Sequence, residues 1–356
     1  MHELIERYKH DSRLPEIAGE QCVHALMENA SCKSCIDVCP QQAWLLNEET
    51  LALDTQACDG CGLCVPVCPE GAISGGDHAI LLREKQGELF AFCACELSEA
   101  NSGDGVFPCI NSLRLQDIML LFNKGARYLM VATGDCCNCN RSGKVDVSER
   151  ISLLNKSLWA MGSAGIKFER MVLNQWRRLL DETMVSPTGP AVNRRHFLRS
   201  LINVGVERKI ETPELLLLAD QAYTPAGQLL EEKTAQTIWP SLPEIDAGRC
   251  DGCDACVRLC PHSALRLELT DSVSKYSIKP QNCTGCSICV DVCERNAISI
   301  RNWEVSSQNE VPLETGQCNA CGSPFHLPAG YDGEAATLCR ICSKHNHYKN
   351  LHQVLE

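Results

Sequence analysis

Apolar residues in the middle of this chain fall in short runs separated by helical patterns. Leu89-Phe90-Ala91-Phe92 and Tyr128-Leu129-Met130-Val131-Ala132 have strand length and end at or near cysteines, which predicts buried strands. Between them, Ser112 to Lys124 places Leu113, Ile118, Leu121 and Phe122 at helical spacing and stops near Gly125. A longer helix is expected over about Val147 to Met161, broken by Gly162-Ser163-Ala164-Gly165, and a further one over Arg170 to Glu182. Strands alternating with helices predict an α/β domain with a largely parallel sheet over residues 86–184.

The flanking blocks differ. Ala43-Trp44-Leu45-Leu46 and Gly71-Ala72-Ile73 sit at matching places in one block, Ser263-Ala264-Leu265-Arg266-Leu267 and Asn296-Ala297-Ile298-Ser299-Ile300 in the other. These short segments suit half-buried strands of a small sheet, and their matched placement implies an internal repeat in each block. Residues 185–245 are expected to be a linker and packing segment without chemistry. Ser186-Pro187-Thr188-Gly189-Pro190 is the linker signal, Glu211 to Tyr223 has a helical look, and Trp239-Pro240-Ser241-Leu242-Pro243 is irregular. Aliphatic runs such as Leu215 to Ala219 are short, and no window approaches the ~20 apolar residues of a membrane span.

Composition sharpens this picture. The chain has 356 residues, 26 of them cysteine, and a net charge of −12. Such cysteine usage means either a secreted disulfide framework or an intracellular metalloprotein. Most of these cysteines lie in C-x2-C or C-x-C groups, which favours metal. Met1-His2-Glu3-Leu4-Ile5-Glu6-Arg7 lacks the basic and apolar regions of a signal peptide. Arg194-Arg195-His196-Phe197-Leu198 has a twin-arginine look but lies mid-chain, and its apolar follow-on, Leu201 to Val206, stops at Glu207. A cytoplasmic chain is expected, with peripheral attachment to a membrane complex left open. The acidic balance argues against nucleic acid and for basic docking faces on redox partners.

Cys58, Cys61, Cys64, Cys68 and Pro69 spell C-x2-C-x2-C-x3-C-P, and Cys250, Cys253, Cys256, Cys260 and Pro261 repeat it. Cys283, Cys286, Cys289 and Cys293 follow the spacing with Glu294 in place of proline, and Cys32, Cys35, Cys39 and Pro40 form an incomplete copy. Thiolates so spaced wrap cubane clusters, with the fourth cysteine crossing to the neighbouring cluster. Both blocks, 1–85 and 246–305, resemble two-cluster bacterial ferredoxins. The resemblance implies one cluster on Cys250, Cys253, Cys256 and Cys293, and another on Cys283, Cys286, Cys289 and Cys260. In the N-terminal block it implies one on Cys58, Cys61, Cys64 and Cys39. The remaining site has Cys32, Cys35 and Cys68, but Asn29 stands where a cysteine is expected. Cys22 is the favoured fourth ligand; a three-iron cluster or a non-cysteine ligand are the alternatives. Zinc is the competing occupant of any four-cysteine set.

The central block carries Cys93, Cys95, Cys109, Cys136, Cys137 and Cys139. Its Phe92-Cys93-Ala94-Cys95, Pro108-Cys109, Lys124-Gly125-Ala126-Arg127, Gly134-Asp135-Cys136 and Gly165-Ile166-Lys167-Phe168-Glu169-Arg170 resemble the delta subunits of methyl-viologen-reducing hydrogenases over about residues 88–183. That resemblance implies a [2Fe-2S] cluster relaying electrons to a partner. The chain departs from the pattern in its C-x-C first pair and in Thr133 before Gly134, with Cys137 and Cys139 following. Four ligands out of six are not selected by spacing. Zinc, a thiol pair or a redox-active Cys136–Cys137 disulfide are the alternatives.

Residues 306–356 carry Cys318-x2-Cys321 and Cys339-x2-Cys342, the paired knuckles of a zinc ribbon, with a rubredoxin-like iron as the alternative. His345, His347 and His352 are expected to face solvent, and Arg340, Lys344 and Lys349 are too few for a nucleic-acid face. There is no G-x-G-x-x-G after a strand, no P-loop, no c-type haem motif and no ordered Ser-His-Asp set. The fold class expected is α+β multidomain: two dicluster modules, an α/β domain and a small ribbon. The expected function is an electron-transfer subunit holding four [4Fe-4S] clusters, one [2Fe-2S] cluster and Zn2+. Resemblance points to a hydrogenase, a formate dehydrogenase or a heterodisulfide-reductase-like protein as its partner. A thiol/disulfide reductase built on Cys136, Cys137 and Cys139, and a redox-sensing regulatory protein, are the two other readings.

Overall fold

The computed structural model describes residues 11–47, 51–76, 78–100, 105–141, 145–185, 214–217, 223–230, 236–270, 274–331 and 337–344. The linker at 186–190, the paired arginines at 194–195 and the histidines at 345, 347 and 352 lie outside them. The chain divides into two compact units, residues 1–28 with 33–232, and residues 29–32 with 233–356.

The first unit begins with β1 (Glu16–Ile17), α1 (Val23–Leu26), α2 (Ser34–Val38), β2 (Trp44–Leu46), β3 (Leu51–Leu53) and β4 (Ile73–Ser74). β1 pairs with β4 and β2 with β3, both antiparallel. Their small core holds Val38, Ala43, Trp44, Leu63, Val65 and Ile73, with cysteines filling the rest.

The same unit continues through β5 (Ala79–Lys85), β6 (Glu88–Cys95), β7 (Val106–Phe107), α3 (Leu115–Asn123), β8 (Ala126–Ala132), α4 (Val147–Ala160), β9 (Lys167–Met171), α5 (Leu173–Asp181), β10 (Met184–Val185) and β11 (Glu214–Leu217). The strands form one sheet in the order β10-β5-β6-β8-β9, with β11 also on β5 and β7 also on β6. This sheet is mixed rather than largely parallel. β6 runs parallel to β7 and β8, and β8 to β9, whereas β5 is antiparallel to β6, β10 and β11. The cause is the two-residue turn Gln86-Gly87, both with positive φ (56° and 80°), which suits a tight hairpin and forces β5 back along β6.

Two further expectations are corrected. Glu214–Leu217 is a strand on β5, not part of a helix, because a continuous leucine run suits strand and helix alike and β5 offers it a ladder. The third helix starts at Leu173, since Lys167–Met171 pairs with β8. On one sheet face Phe90, Phe92, Ala94, Met130 and Ala132 pack under Trp176 of α5. Alternation along β6 sends Ala91, Cys93 and Cys95 to the opposite face. α3 packs against β8 and α4, burying Ile118 and Leu121.

The second unit comprises β12 (Ile238–Trp239), β13 (Leu242–Ile245), α6 (Ala255–Leu259), β14 (Leu265–Leu269), β15 (Ser274–Ile278), α7 (Ile288–Asp291), β16 (Ile298–Arg301), β17 (Glu304–Val305), β18 (Glu310–Gln317), β19 (Pro324–Pro328) and α8 (Arg340–Lys344). The segment around Pro240, expected to be irregular, contributes β12 and β13, which pair with β17 and β16. β14, β15, β18 and β19 form a continuous antiparallel sheet, so the hairpin leading to Cys318 extends the sheet of β14 and β15. The core is built on Ile245, Leu265, Tyr276, Ile278, Ile298 and Val311. No helix among the described residues is long and apolar enough to cross a membrane.

Candidate metal centres

The cysteines of the second unit gather in two groups, Cys250, Cys253, Cys256 and Cys293 around one cavity and Cys260, Cys283, Cys286 and Cys289 around another pocket. Cys256 lies in the field of Cys250, Cys253 and Cys293, and burial pushes its thiol up to about 12. Burial raises the Cys289 thiol, with smaller effects of Cys283, Cys286, Cys256 and Cys260. The first set borders a cavity of about 220 Å³, closed on other sides by Tyr276 and Arg340. The second lines an apolar pocket with Pro261 and Ile288. Each crossing cysteine accepts a hydrogen bond four residues on, Ala264 N–H to Cys260 Sγ and Ala297 N–H to Cys293 Sγ, both at 3.2 Å. The local reason is backbone shape: Ser263 and Asn296 have positive φ, folding the chain back over the preceding sulfur.

The first unit repeats the device. Ala43 N–H donates to Cys39 Sγ and Gly60 N–H to Cys58 Sγ, both at 3.4 Å. Cys64 is raised by burial and by the nearby Cys61 and Cys58, and Cys58 senses Cys39. Cys61 is pushed up to about 12, chiefly by burial. Buried thiols crowded this way resist ionisation on their own, whereas a bound metal centre stabilises all of them as thiolates. The donor set therefore fits iron–sulfur clusters. Cys22, Cys35 and Cys68 belong to the first unit, and Cys32 to the second, where Ser31 donates from N–H and hydroxyl to Asp291 at 2.8 Å.

Two stretches are similar to known families. Residues 249–297 match the family described as a 4Fe-4S dicluster domain. Residues 29–79 match the LdpA Fe-S cluster-binding domain. This chain carries iron–sulfur cluster-binding domains. The first stretch spans all eight cysteines of the C-terminal runs, and the second spans Cys32, Cys35, Cys39, Cys58, Cys61, Cys64 and Cys68 but not Cys22.

In the central sheet the six cysteines separate. Cys95, Cys109, Cys136 and Cys139 line one pocket, together with Gly134 and Arg141. Cys95 ends β6, Cys109 follows β7, and Cys136 and Cys139 lie in a turn opened by Asp135, which accepts from Cys137 N–H at 3.0 Å. Gly134 N–H donates to Cys95 Sγ at 3.3 Å, and Arg141 N–H to Cys139 Sγ at 3.4 Å. Burial, with smaller effects of Cys139 and Cys95, pushes Cys109 up to about 11. Cys93 is wholly buried in the sheet core, and Cys137 is exposed. No disulfide joins Cys136 to Cys137.

In the tail, Cys318, Cys321, Cys339 and Cys342 bring their sulfurs within 4.8 Å of one another. The Cys339 backbone N–H holds the Cys318 thiol down to about 6, while desolvation leads Cys342 upward. Gly322 N–H to Cys318 O at 2.8 Å and Cys318 N–H to Ser323 O at 2.9 Å shape the first knuckle. Four such sulfurs fit one tetrahedral ion.

Sequence reasoning missed the polar residues around these sites. Asp251, between Cys250 and Cys253, accepts from Arg295 Nε at 3.1 Å. Asp59, between Cys58 and Cys61, accepts from Arg141 Nε at 2.9 Å. The signal was there in part: both acids sit in Cys-Asp-Gly-Cys turns.

Proposed function

We propose that the protein is an electron-transfer subunit that passes single electrons between partner oxidoreductases through a chain of iron–sulfur clusters. What supports this reading is that Cys293 borders one cavity with Cys250, Cys253 and Cys256 while Cys260 lines another pocket with Cys283, Cys286 and Cys289, the grouping expected of a two-cluster ferredoxin. Clusters held by these cysteines would supply one-electron chemistry, with no bond made or broken. The chain's own residues hold the sulfurs, exclude water and aim N–H groups at sulfur, which tunes potential.

The proposed cubane ligands are Cys250, Cys253, Cys256 and Cys293; Cys283, Cys286, Cys289 and Cys260; and Cys58, Cys61, Cys64 and Cys39. A fourth cubane on Cys22, Cys32, Cys35 and Cys68 rests on sequence spacing. For the [2Fe-2S] cluster we assign Cys95, Cys109, Cys136 and Cys139, the four that share a pocket, leaving Cys93 as core and Cys137 free. Zn2+ is assigned to Cys318, Cys321, Cys339 and Cys342. A hydrogenase, a formate dehydrogenase or a heterodisulfide-reductase-like protein is the proposed partner class, in a cytoplasmic complex.

The test is iron, sulfide and zinc content of anaerobically purified protein with its EPR spectrum. The expected outcome is about 18 iron and about one zinc per chain. About 16 iron without a two-iron signal overturns the central assignment. The thiol-reductase reading is favoured by the exposure of Cys137 alone among the central six. Alkylation of Cys137 that abolishes disulfide reduction but not cluster reduction supports it.

A further inference from the structure

We propose that Arg141 is a positioning residue that ties the central four-cysteine site to the ferredoxin-type site of Cys39, Cys58, Cys61 and Cys64 and tunes both. This rests on the electron-transfer reading above. Arg141 reaches both sites at once. Its backbone N–H donates to Cys139 Sγ at 3.4 Å. Its guanidinium donates from NH1 to the carbonyl of Pro108, next to Cys109, at 2.9 Å. The same NH1 lies 3.6 Å from the carboxylate of Glu96, next to Cys95. On the other side, Nε donates to Asp59 Oδ2 at 2.9 Å, and NH2 lies 3.5 Å from the Asp59 carbonyl. Asp59 in turn accepts from Cys61 N–H at 3.1 Å.

The second unit shows what this contact replaces. There the acid of the Cys-Asp-Gly-Cys turn, Asp251, is paired with Arg295, two residues after Cys293 and so within the same thiol set. The position two residues after Cys39 is Gln41, which has no charge. The cation for Asp59 comes instead from the central domain, again two residues after a cysteine of a thiol set, Cys139. A salt bridge that closes one site on itself in the second unit joins two sites in the first.

The physical consequence follows from charge. The Arg141 side chain is only 13% exposed, so its charge is poorly screened by water and acts on both thiol sets. Adding an electron to either site is favoured by this cation. Its rigid planar fork also holds the two cysteine loops at one separation, as a lysine cannot.

The experiment is an EPR-monitored redox titration of anaerobically purified, iron-loaded full-length protein, comparing wild type with Arg141→Gln, Arg141→Lys and Asp59→Asn. With iron content unchanged, Arg141→Gln is expected to lower the reduced-to-oxidised ratio of the two-iron centre about tenfold at fixed ambient potential, equivalent to ~59 mV for one electron. The signal of the adjacent cubane shifts in the same direction, and Arg141→Lys restores part of both. Unchanged potentials with full iron overturn the proposal. So does loss of iron from Arg141→Gln and Asp59→Asn alike with the remaining signals unmoved, which makes Arg141 a strut only. Absence of any two-iron signal in the wild type sinks the electron-transfer assignment of the central site instead.

Discussion

His326 Nε2 lies 2.8 Å from Asp254 Oδ1, joining the hairpin that carries Cys318 to the turn that carries Cys253. Tyr276 Oη donates to the same oxygen at 2.7 Å, so one carboxylate gathers groups from β15 and β19. Burial works to raise the Asp254 pKa, but these hydrogen bonds hold it below the usual carboxylate range. The contact is tight: a Cβ on Gly252 would come within 2.1 Å of the His326 carbonyl oxygen. The tail hairpin is therefore a cover for the first cysteine loop of the dicluster module. His326→Ala is expected to lower stability by about 2 kcal/mol, the scale of a hydrogen bond to a charged group. Thermal unfolding checks this, and faster bleaching of cluster absorbance in air is the companion readout.

The metal proposed for the tail is expected to be separable from the proposed clusters. Cys342→Ser is expected to lose about one zinc per chain while cluster iron stays near the wild-type level. Metal analysis of the purified variant decides it. Loss of several iron atoms along with the zinc points to iron in this site or to a collapsed module.

Gly134 has no room for a side chain, because a Cβ there would meet the Leu97 carbonyl oxygen at 2.3 Å. Its N–H also donates to Cys95 Sγ at 3.3 Å. Gly134→Ala is expected to deplete the two-iron EPR signal by more than half and leave the cubane signals intact. An unchanged two-iron signal counts against Cys95 as a ligand.

Trp176 fastens α5 to the sheet: its indole N–H donates to the Met130 carbonyl at 3.1 Å and its ring meets Phe92 edge-on at 5.9 Å. Trp176→Ala is expected to cost about 3–5 kcal/mol, the usual range for deleting a buried aromatic. Chemical denaturation of the holoprotein is the measurement. A loss below about 1 kcal/mol shows that α5 adds little to the sheet.

Asp146 begins α4 by accepting from Ser148 N–H at 2.8 Å, and Arg170 of β9 holds the same oxygen at 2.7 Å. Asp146→Ala is expected to destabilise the protein by about 1 kcal/mol through loss of the helix cap. The same denaturation experiment reads it, with Asp146→Asn retaining most of the stability.

Several of these elements were legible in the sequence. The helix over Val147–Ala160 and its glycine stop follow from periodicity, and the strands Glu88–Cys95 and Ala126–Ala132 from their apolar runs. The expectation of a helix through Glu214–Leu217 failed because the consecutive leucines from Leu215 to Leu218 satisfy strand and helix patterns alike. The largely parallel sheet failed because Gln86-Gly87 was not recognised as a hairpin turn. The strand Lys167–Met171 was missed because its side chains are mostly half-exposed or exposed, as on a sheet edge.

What the sequence by itself determined is the local spacing of the cysteine groups. Two residues between cysteines keep both sulfurs within one turn, so the groups at Cys250, Cys283, Cys58 and Cys318 are written in the spacing. Tertiary structure alone decided which central cysteines share a pocket, because Cys95, Cys109 and Cys136 are separated by stretches whose closure depends on β7 and β8 lying parallel to β6. It also decided that Arg141 meets Asp59, 82 residues away. Separation along a chain says little about distance once a sheet folds it back, and pairs of opposite charge are too common in a sequence for composition to single one out.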